Sequence, residues 1–212
     1  MTRYLSFLIL SAVLTAPVQA EQIEVEYKRF YSHINKIGDE DTAALQFAFG
    51  FIRVGQDRLC NINSAQIVTQ KQTIDLDVSE EQRFLVPKER ALKLADANIL
   101  IDLEEAANVC DMSVQIETKA EFIKTDYTVE ELAYITRQYE AFFNEMGGFL
   151  SFMMPSVNGL IFRFADTTLD AAIPGTNGIN NGMLMLDKDW LDEGNALSLP
   201  EVPLRITALA KG

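Results

Sequence analysis

The stretch Ala44–Val54, "ALQFAFGFIRV", decides the fold class. Leu45, Phe47, Phe49 and Phe51 alternate with Gln46, Ala48 and Gly50. A period of two places every second side chain on one face of an extended strand, although Ala and Leu leave a helix open. The segment before it reads differently. In Glu21–Ile37, "EQIEVEYKRFYSHINKI", residues Tyr27, Phe30, Tyr31, Ile34 and Ile37 recur at helical spacing. This predicts an amphipathic helix of about three turns with an extended lead-in. "GDEDT" then ends the helix. A helix followed at once by a period-two run points away from an all-α or all-β chain.

From Cys60 to Glu117 the pattern is mostly β. "AQIVT", "TIDLDV", "RFLVP", "NILIDL" and "DMSVQIE" are short apolar runs separated by turn-like pieces. Such close spacing predicts antiparallel pairing, because a parallel crossover needs about a dozen residues or more. "KERALKLADA" reads as one or two helical turns, with Pro87 acceptable at a helix start. "TDYTVEELAYITRQYEAFFNEMGG" (125–148) carries the strongest helix signal. Thr128 and Glu131 have the spacing of a capping box, and Gly147 or Gly148 suits the C-terminal end. Beyond it, "NGLIFRFADTTL" reads as a strand, "IPGTNGINNG" as a loop, and residues 183–209 as strand, turn and strand.

The expected fold is therefore α+β, with antiparallel β-rich units, an N-terminal helix and a central amphipathic helix. "FLVPKERALKLADANILIDL" and "LMLDKDWLDEGNALSLPEVPLRITAL" share a strand–helical stub–strand plan. They mark either two related units, divisible as 21–125 and 126–212, or a coincidence of generic turn chemistry.

Residues 1–20, "MTRYLSFLILSAVLTAPVQA", read as a cleavable signal peptide. Arg3 supplies the positive start, Leu5–Leu14 an apolar run too short to span a bilayer, and Val18-Gln19-Ala20 a cleavage site. The expectation is a single exported domain over 21–212, periplasmic, with no integral membrane segment after cleavage. The chain's net charge of −13 becomes −14 without Arg3. That balance excludes nucleic acid as a partner, since its binding rests on Lys and Arg neutralising phosphates. An apolar content of 48% with 13 phenylalanines excludes general disorder. In an oxidising compartment the only two cysteines, Cys60 and Cys110, are expected to form a disulfide.

Catalytic motifs are lacking. There is no Gly-x-Ser-x-Gly elbow, and the single histidine, His33, falls on the polar side of the first helix, where it reads as a surface residue. "GTNGINNG" lacks the Lys-Ser/Thr of a phosphate loop. Acid pairs such as Glu80–Glu81, Glu104–Glu105 and Asp187–Asp189 are numerous, as 31 acidic residues dictate, and none is singled out for glycoside hydrolysis. "DKDWLDEG" (187–194) fails as a calcium loop, with Leu191 at position 5 and Ser198 at position 12. Asp187 is expected instead to cap a short helical turn from which Trp190 and Leu191 pack inward. No metal or cofactor is implied.

The remaining candidate is the aromatic and methionine group of Tyr139, Phe142, Phe143, Phe149, Phe152, Met153 and Met154, joined by Trp190 if that ring is exposed. Flexible Met and Phe line adaptable pockets or partner grooves, and also ordinary cores. These residues form the expected ligand or partner surface. The leading expectation is a non-enzymatic periplasmic binding or interaction protein of the cell envelope, its partner an envelope protein or a small apolar ligand. The alternatives are a carrier or sensor of a small apolar ligand and, third, an acid-pair hydrolase.

"EYKRFYSHINKI", "RLCNINSAQIVT", "RFLVPKERALKLADANILIDL" and "VCDMSVQIE" together resemble an uncharacterised family of secreted proteins from marine gammaproteobacteria. The resemblance spans roughly Tyr27 to Glu117. It implies export and a shared fold, and it carries no active site with it.

Overall fold

The computed structural model describes residues 21–147 and 156–211. The expected leader (1–20) and the apolar run 148–155 lie outside the described residues. Twelve strands and four α-helices are present among those described, and every strand pairing is antiparallel. The fold is α+β.

Strand β1 (Glu21–Glu26) is the extended lead-in, and it is a full sheet member. It pairs with β6 (Asn98–Leu103), placing Ile23 opposite Ile101 and Val25 opposite Ile99. β6 in turn pairs with β3 (Ile62–Val68), which pairs with β4 (Thr73–Leu76), giving the order β1-β6-β3-β4. Residues opposite one another in register share a face. Ile67, Ile99, Ile101 and Leu103 are thus buried together. A register shift between Ile62 and Ser64 brings Ile62 opposite Leu103.

Helix α1 (Tyr27–Ile34) has eight residues rather than three full turns. It starts late because the alternating Ile23 and Val25 are claimed by the sheet. The chain leaves the helix region at Gly38, whose φ of +103° lies in the left-handed region. Tyr27, Phe30 and Ile34 face inward. Phe30 meets Phe49 edge to face, with ring centroids 4.9 Å apart.

Strand β2 (Leu45–Arg53) confirms the period-two reading of the opening stretch. It is central in the order β5-β2-β7, between β5 (Phe84–Leu85) and β7 (Cys110–Thr118). Phe47, Phe49 and Phe51 are buried on one face. Helix α2 (Arg90–Leu94) links β5 to β6. The Cys60–Cys110 disulfide joins the segment entering β3 to the first residue of β7. Cys110 also lies opposite Arg53, and the Cys60 amide donates to the Phe51 carbonyl at 2.7 Å. The far end of β2 is thereby pinned.

Helix α3 (Val129–Gly147) carries the expected capping box. The Glu131 amide donates to Thr128 Oγ1 at 3.3 Å, and the Thr128 amide donates to Glu131 Oε2 at 3.0 Å. Its inner residues Leu132, Ile135, Tyr139 and Phe142 are buried. It packs on β9 (Ser156–Arg163), the middle of the order β10-β9-β12. β10 spans Met183–Asp187 and β12 Arg205–Lys211. Between them lie α4 (Lys188–Asp192) and β11 (Leu197–Ser198), the latter paired with β8 (Asp126–Tyr127). The Asp187 side chain accepts from the Trp190 amide at 2.9 Å, which is the cap expected from the sequence.

The two strand–stub–strand stretches are alike only locally. β5 and β6 belong to different sheets, whereas β10 and β12 flank β9 within one sheet. One contiguous core joins both halves, from Phe30 and Phe49 to Leu160, Phe162 and Ile206. β12 lies against β7, which closes the seam between the halves.

The disulfide bridges residues 50 apart in sequence. Replacing both cysteines by alanine is expected to lower the unfolding free energy by about 4 kcal/mol in urea titration. A loss below about 1 kcal/mol would show that the loop it closes is already restricted in the unfolded chain.

Candidate functional site

Two concavities meet at Leu85. The first is an apolar groove of 390 Å³ between the end of α1, β2 and β5. Ile34, Ile37, Leu45, Phe47, Leu85, Val86 and Pro87 line it, with Gln46, Lys88 and Lys119 at its polar edge. Its walls are fixed by polar ties. The Tyr27 hydroxyl donates to the Pro87 carbonyl at 2.6 Å and accepts from the Glu89 amide at 2.9 Å. Lys88 Nζ donates to the Ile37 carbonyl at 2.8 Å, and Lys119 Nζ to the Ala43 carbonyl at 2.5 Å. The lysine charges therefore sit beside the groove on short tethers. Register explains why it stays open. β7 pairs with β2 as far as Leu45↔Thr118, but β5 stops at Ala48↔Leu85. Along Leu45–Phe47, β2 has a strand partner on one side only among the described residues.

The second concavity, of 260 Å³, lies on the other face of β2 at the seam with β12. Gln46, Ala48 and Gly50 share that face with their register partners Glu117, Gln115 and Ser113. Gly50 is required there. A Cβ at this position would stand 2.8 Å from the Gln82 carbonyl oxygen, so only glycine admits the turn carrying Glu81 and Arg83. Arg205 reaches in from β12 and pairs with Glu81. Arg83 Nη2 approaches Ser113 Oγ at 3.5 Å. Arg83 Nε and Nη1 and Arg205 Nε are buried with no hydrogen-bond partner among the described residues. Burial holds both guanidinium pKa values below the usual arginine range, and each is lowered further by a neighbouring arginine: Arg205 beside Arg83, and Arg163 opposite Arg205. Glu117 accepts from Gln46 Nε2 at 3.0 Å and from Gln115 Nε2 at 3.3 Å. Burial nevertheless raises its pKa above the ordinary glutamate value, outweighing the Gln46 bond and the two arginines.

The residues expected to form the ligand surface are placed as follows. Tyr139 is fully buried, with its hydroxyl donating to the Ile206 carbonyl at 2.7 Å and 3.0 Å from Thr118 Oγ1. It is a core residue, since a buried phenol needs partners and finds them on two strands. Phe142 is buried and packs edge to face on Phe47 at 5.8 Å and on the half-buried Phe143 at 5.4 Å. Phe142 thus backs Phe47 in the wall of the apolar groove. Phe149, Phe152, Met153 and Met154 lie outside the described residues. Trp190 is packed, not exposed, against Gly175, where a Cβ would come within 3.1 Å of its Nε1.

His33 is half-buried and not a free surface residue. Its ring meets Phe47 and Phe49 edge-on at 6.0 and 6.4 Å, and burial lowers its pKa. The acid pairs are dispersed. Glu81 serves Arg205, Glu105 serves Arg58 and the Asn61 amide, and Asp187 caps α4. Cys60, Cys110 and Glu105 lie close enough to share a metal ion, but the sulfurs are joined in the disulfide and Glu105 is already engaged. The sequence had no local signal for Arg83 with Arg205, which meet only through tertiary packing. The small and polar set Gln46, Ala48 and Gly50, opposite a row of phenylalanines, was the one available pointer.

A family profile, that of a protein of unknown function (DUF2987), matches residues 19–164. The chain belongs to the DUF2987 family. The match covers the groove completely. It covers the seam cleft except for Leu204 and Arg205, which the segment after residue 164 supplies. No curated protein and no solved structure matches this DUF2987 chain.

The Glu117 shift has a signed consequence. A carboxyl whose pKa is raised on folding stabilises the fold most below its unfolded value, and that contribution is lost as pH rises through the folded value. Glu117→Gln should therefore gain stability relative to the wild type between pH 4.5, the ordinary value, and neutral pH. Urea midpoints measured across this range check it. A difference independent of pH contradicts the raised pKa.

Proposed function

We propose that this protein is a non-enzymatic binding protein of the cell envelope. In this reading residues 1–20 direct export to the periplasm, and the groove between α1, β2 and β5 holds a small, mainly apolar ligand. The observation that carries it is the groove itself: 390 Å³ lined chiefly by aliphatic and aromatic side chains. That size and lining are usual for a small-molecule site. The carboxylates nearby favour binding over acid–base chemistry. Glu117 is held by two glutamine side chains and Glu81 by Arg205, so neither stands free to act on a substrate. The ligand position shifts from the Phe/Met group to the groove that Phe142 supports from behind.

A second reading has its own observation. β2 is open on one side along Leu45–Phe47, where an extended segment of an envelope protein would add as a strand beside β2. The two readings differ in what they retain. A small apolar ligand is enclosed by side chains, whereas a strand is held by the backbone of β2.

Titration with N-phenyl-1-naphthylamine, a neutral apolar fluorophore, tests the first reading. Saturable binding is expected, weakened at least about tenfold by Leu85→Glu, which places a charge in the groove at an exposed position. The absence of saturable fluorescence, or a response indifferent to Leu85→Glu, contradicts it.

A further inference from the structure

We propose that the seam cleft between β2–β7 and β12 is a binding site for a small organic carboxylate. This does not depend on what occupies the groove. Arg83 and Arg205 approach from opposite halves of the chain, from the turn before β5 and from the start of β12. Three of their nitrogens, Arg83 Nε and Nη1 and Arg205 Nε, are buried without an acceptor among the described residues. Leaving buried charged donors unsatisfied is costly, and an oxyanion is the acceptor that matches guanidinium geometry. The protein's own carboxylates do not fill this role. Glu81 takes one face of Arg205, and Glu117 turns to Gln46 and Gln115.

The charge of the cleft selects the anion. Its half-buried groups are two arginines, Glu81 and Glu117, with Asp77 exposed at the mouth and Arg163 exposed behind Arg205. Arg205 is neutralised by Glu81, which leaves the single charge of Arg83 facing Glu117. A monoanion fits this arrangement, and it fits best when Glu117 carries its proton. A dianion would face Glu81, Glu117 and Asp77 with too little positive charge to offset them. Ala48, Val78, Leu85 and Leu204 supply an apolar wall, so the ligand has a short hydrocarbon portion next to its carboxylate. Nearby charges that pair Arg83 with a carboxylate in a low-dielectric cleft make the contact stronger than one at the open surface.

The test is a titration of the protein with butyrate, followed by the Nε–Hε resonances of Arg83 and Arg205 in nitrogen–proton NMR spectra. Butanol serves as the uncharged isostere and sulfate as the dianion, all at matched ionic strength. Butyrate should shift both side-chain resonances saturably, butanol should leave them in place, and sulfate should act more weakly. Arg83→Gln should weaken butyrate at least about tenfold, read on the Arg205 resonance. The backbone amide spectrum of the variant reports whether it folds. If it does not, the wild-type titration alone decides. No saturable shift with butyrate, equal shifts with butanol, or tighter binding of sulfate each overturns the proposal.

Discussion

The hydroxyl of Tyr139 holds the two halves of this fold together. It donates to the Ile206 carbonyl on β12 and lies within hydrogen-bond distance of Thr118 Oγ1 on β7, while its ring is fully enclosed. A phenol without water must find such partners, and here they belong to different sheets. Burial raises its pKa well above the usual phenol range, so it remains a neutral donor. The neighbouring Gln138 adds a second tie, accepting from the Ala44 amide at 2.9 Å and donating to the Glu40 carbonyl at 3.0 Å. Helix α3 thus fixes where β2 begins, where β7 ends and where β12 lies.

Both concavities follow from that arrangement. β2 has a phenylalanine face and a small-polar face, and α3 sets what each face meets. On the first, Phe142 backs Phe47 and leaves the groove open toward α1 and β5. On the second, β12 brings Arg205 over Ala48 and Glu117. Leu85 borders both. The disulfide acts at the opposite end of β2, holding β7 in register at Arg53↔Cys110.

Local patterns in the chain were legible where a single element satisfies its own needs. The capping box of Thr128 and Glu131 and the three- and four-residue steps to Phe142 define α3 without outside help. The alternation of Phe47, Phe49 and Phe51 defines β2 in the same way. β1 was harder, because "EQIEVE" is a short, charged strand stabilised by β6 some 70 residues away in sequence, and its pattern merges into the helix that follows. The position of a candidate site was ambiguous for a similar reason. Tyr139 and Phe142 sit on a helix whose apolar face looks the same whether it lines a cavity or fills a core. The arginines were illegible, since Glu81 and Arg205 are 124 residues apart and only the closed seam joins them.

The central claim is that Tyr139 couples the two halves into one cooperative unit. Urea unfolding of the wild type and of Tyr139→Phe tests it, followed by Trp190 fluorescence, which reports the C-terminal half, and by far-ultraviolet circular dichroism, which reports the whole. The two signals should coincide in the wild type, and Tyr139→Phe should lower stability by about 1–3 kcal/mol, the cost of leaving the Thr118 hydroxyl and Ile206 carbonyl unsatisfied. An unchanged midpoint in the variant, or a Trp190 transition separate from the circular dichroism of the wild type, would contradict it.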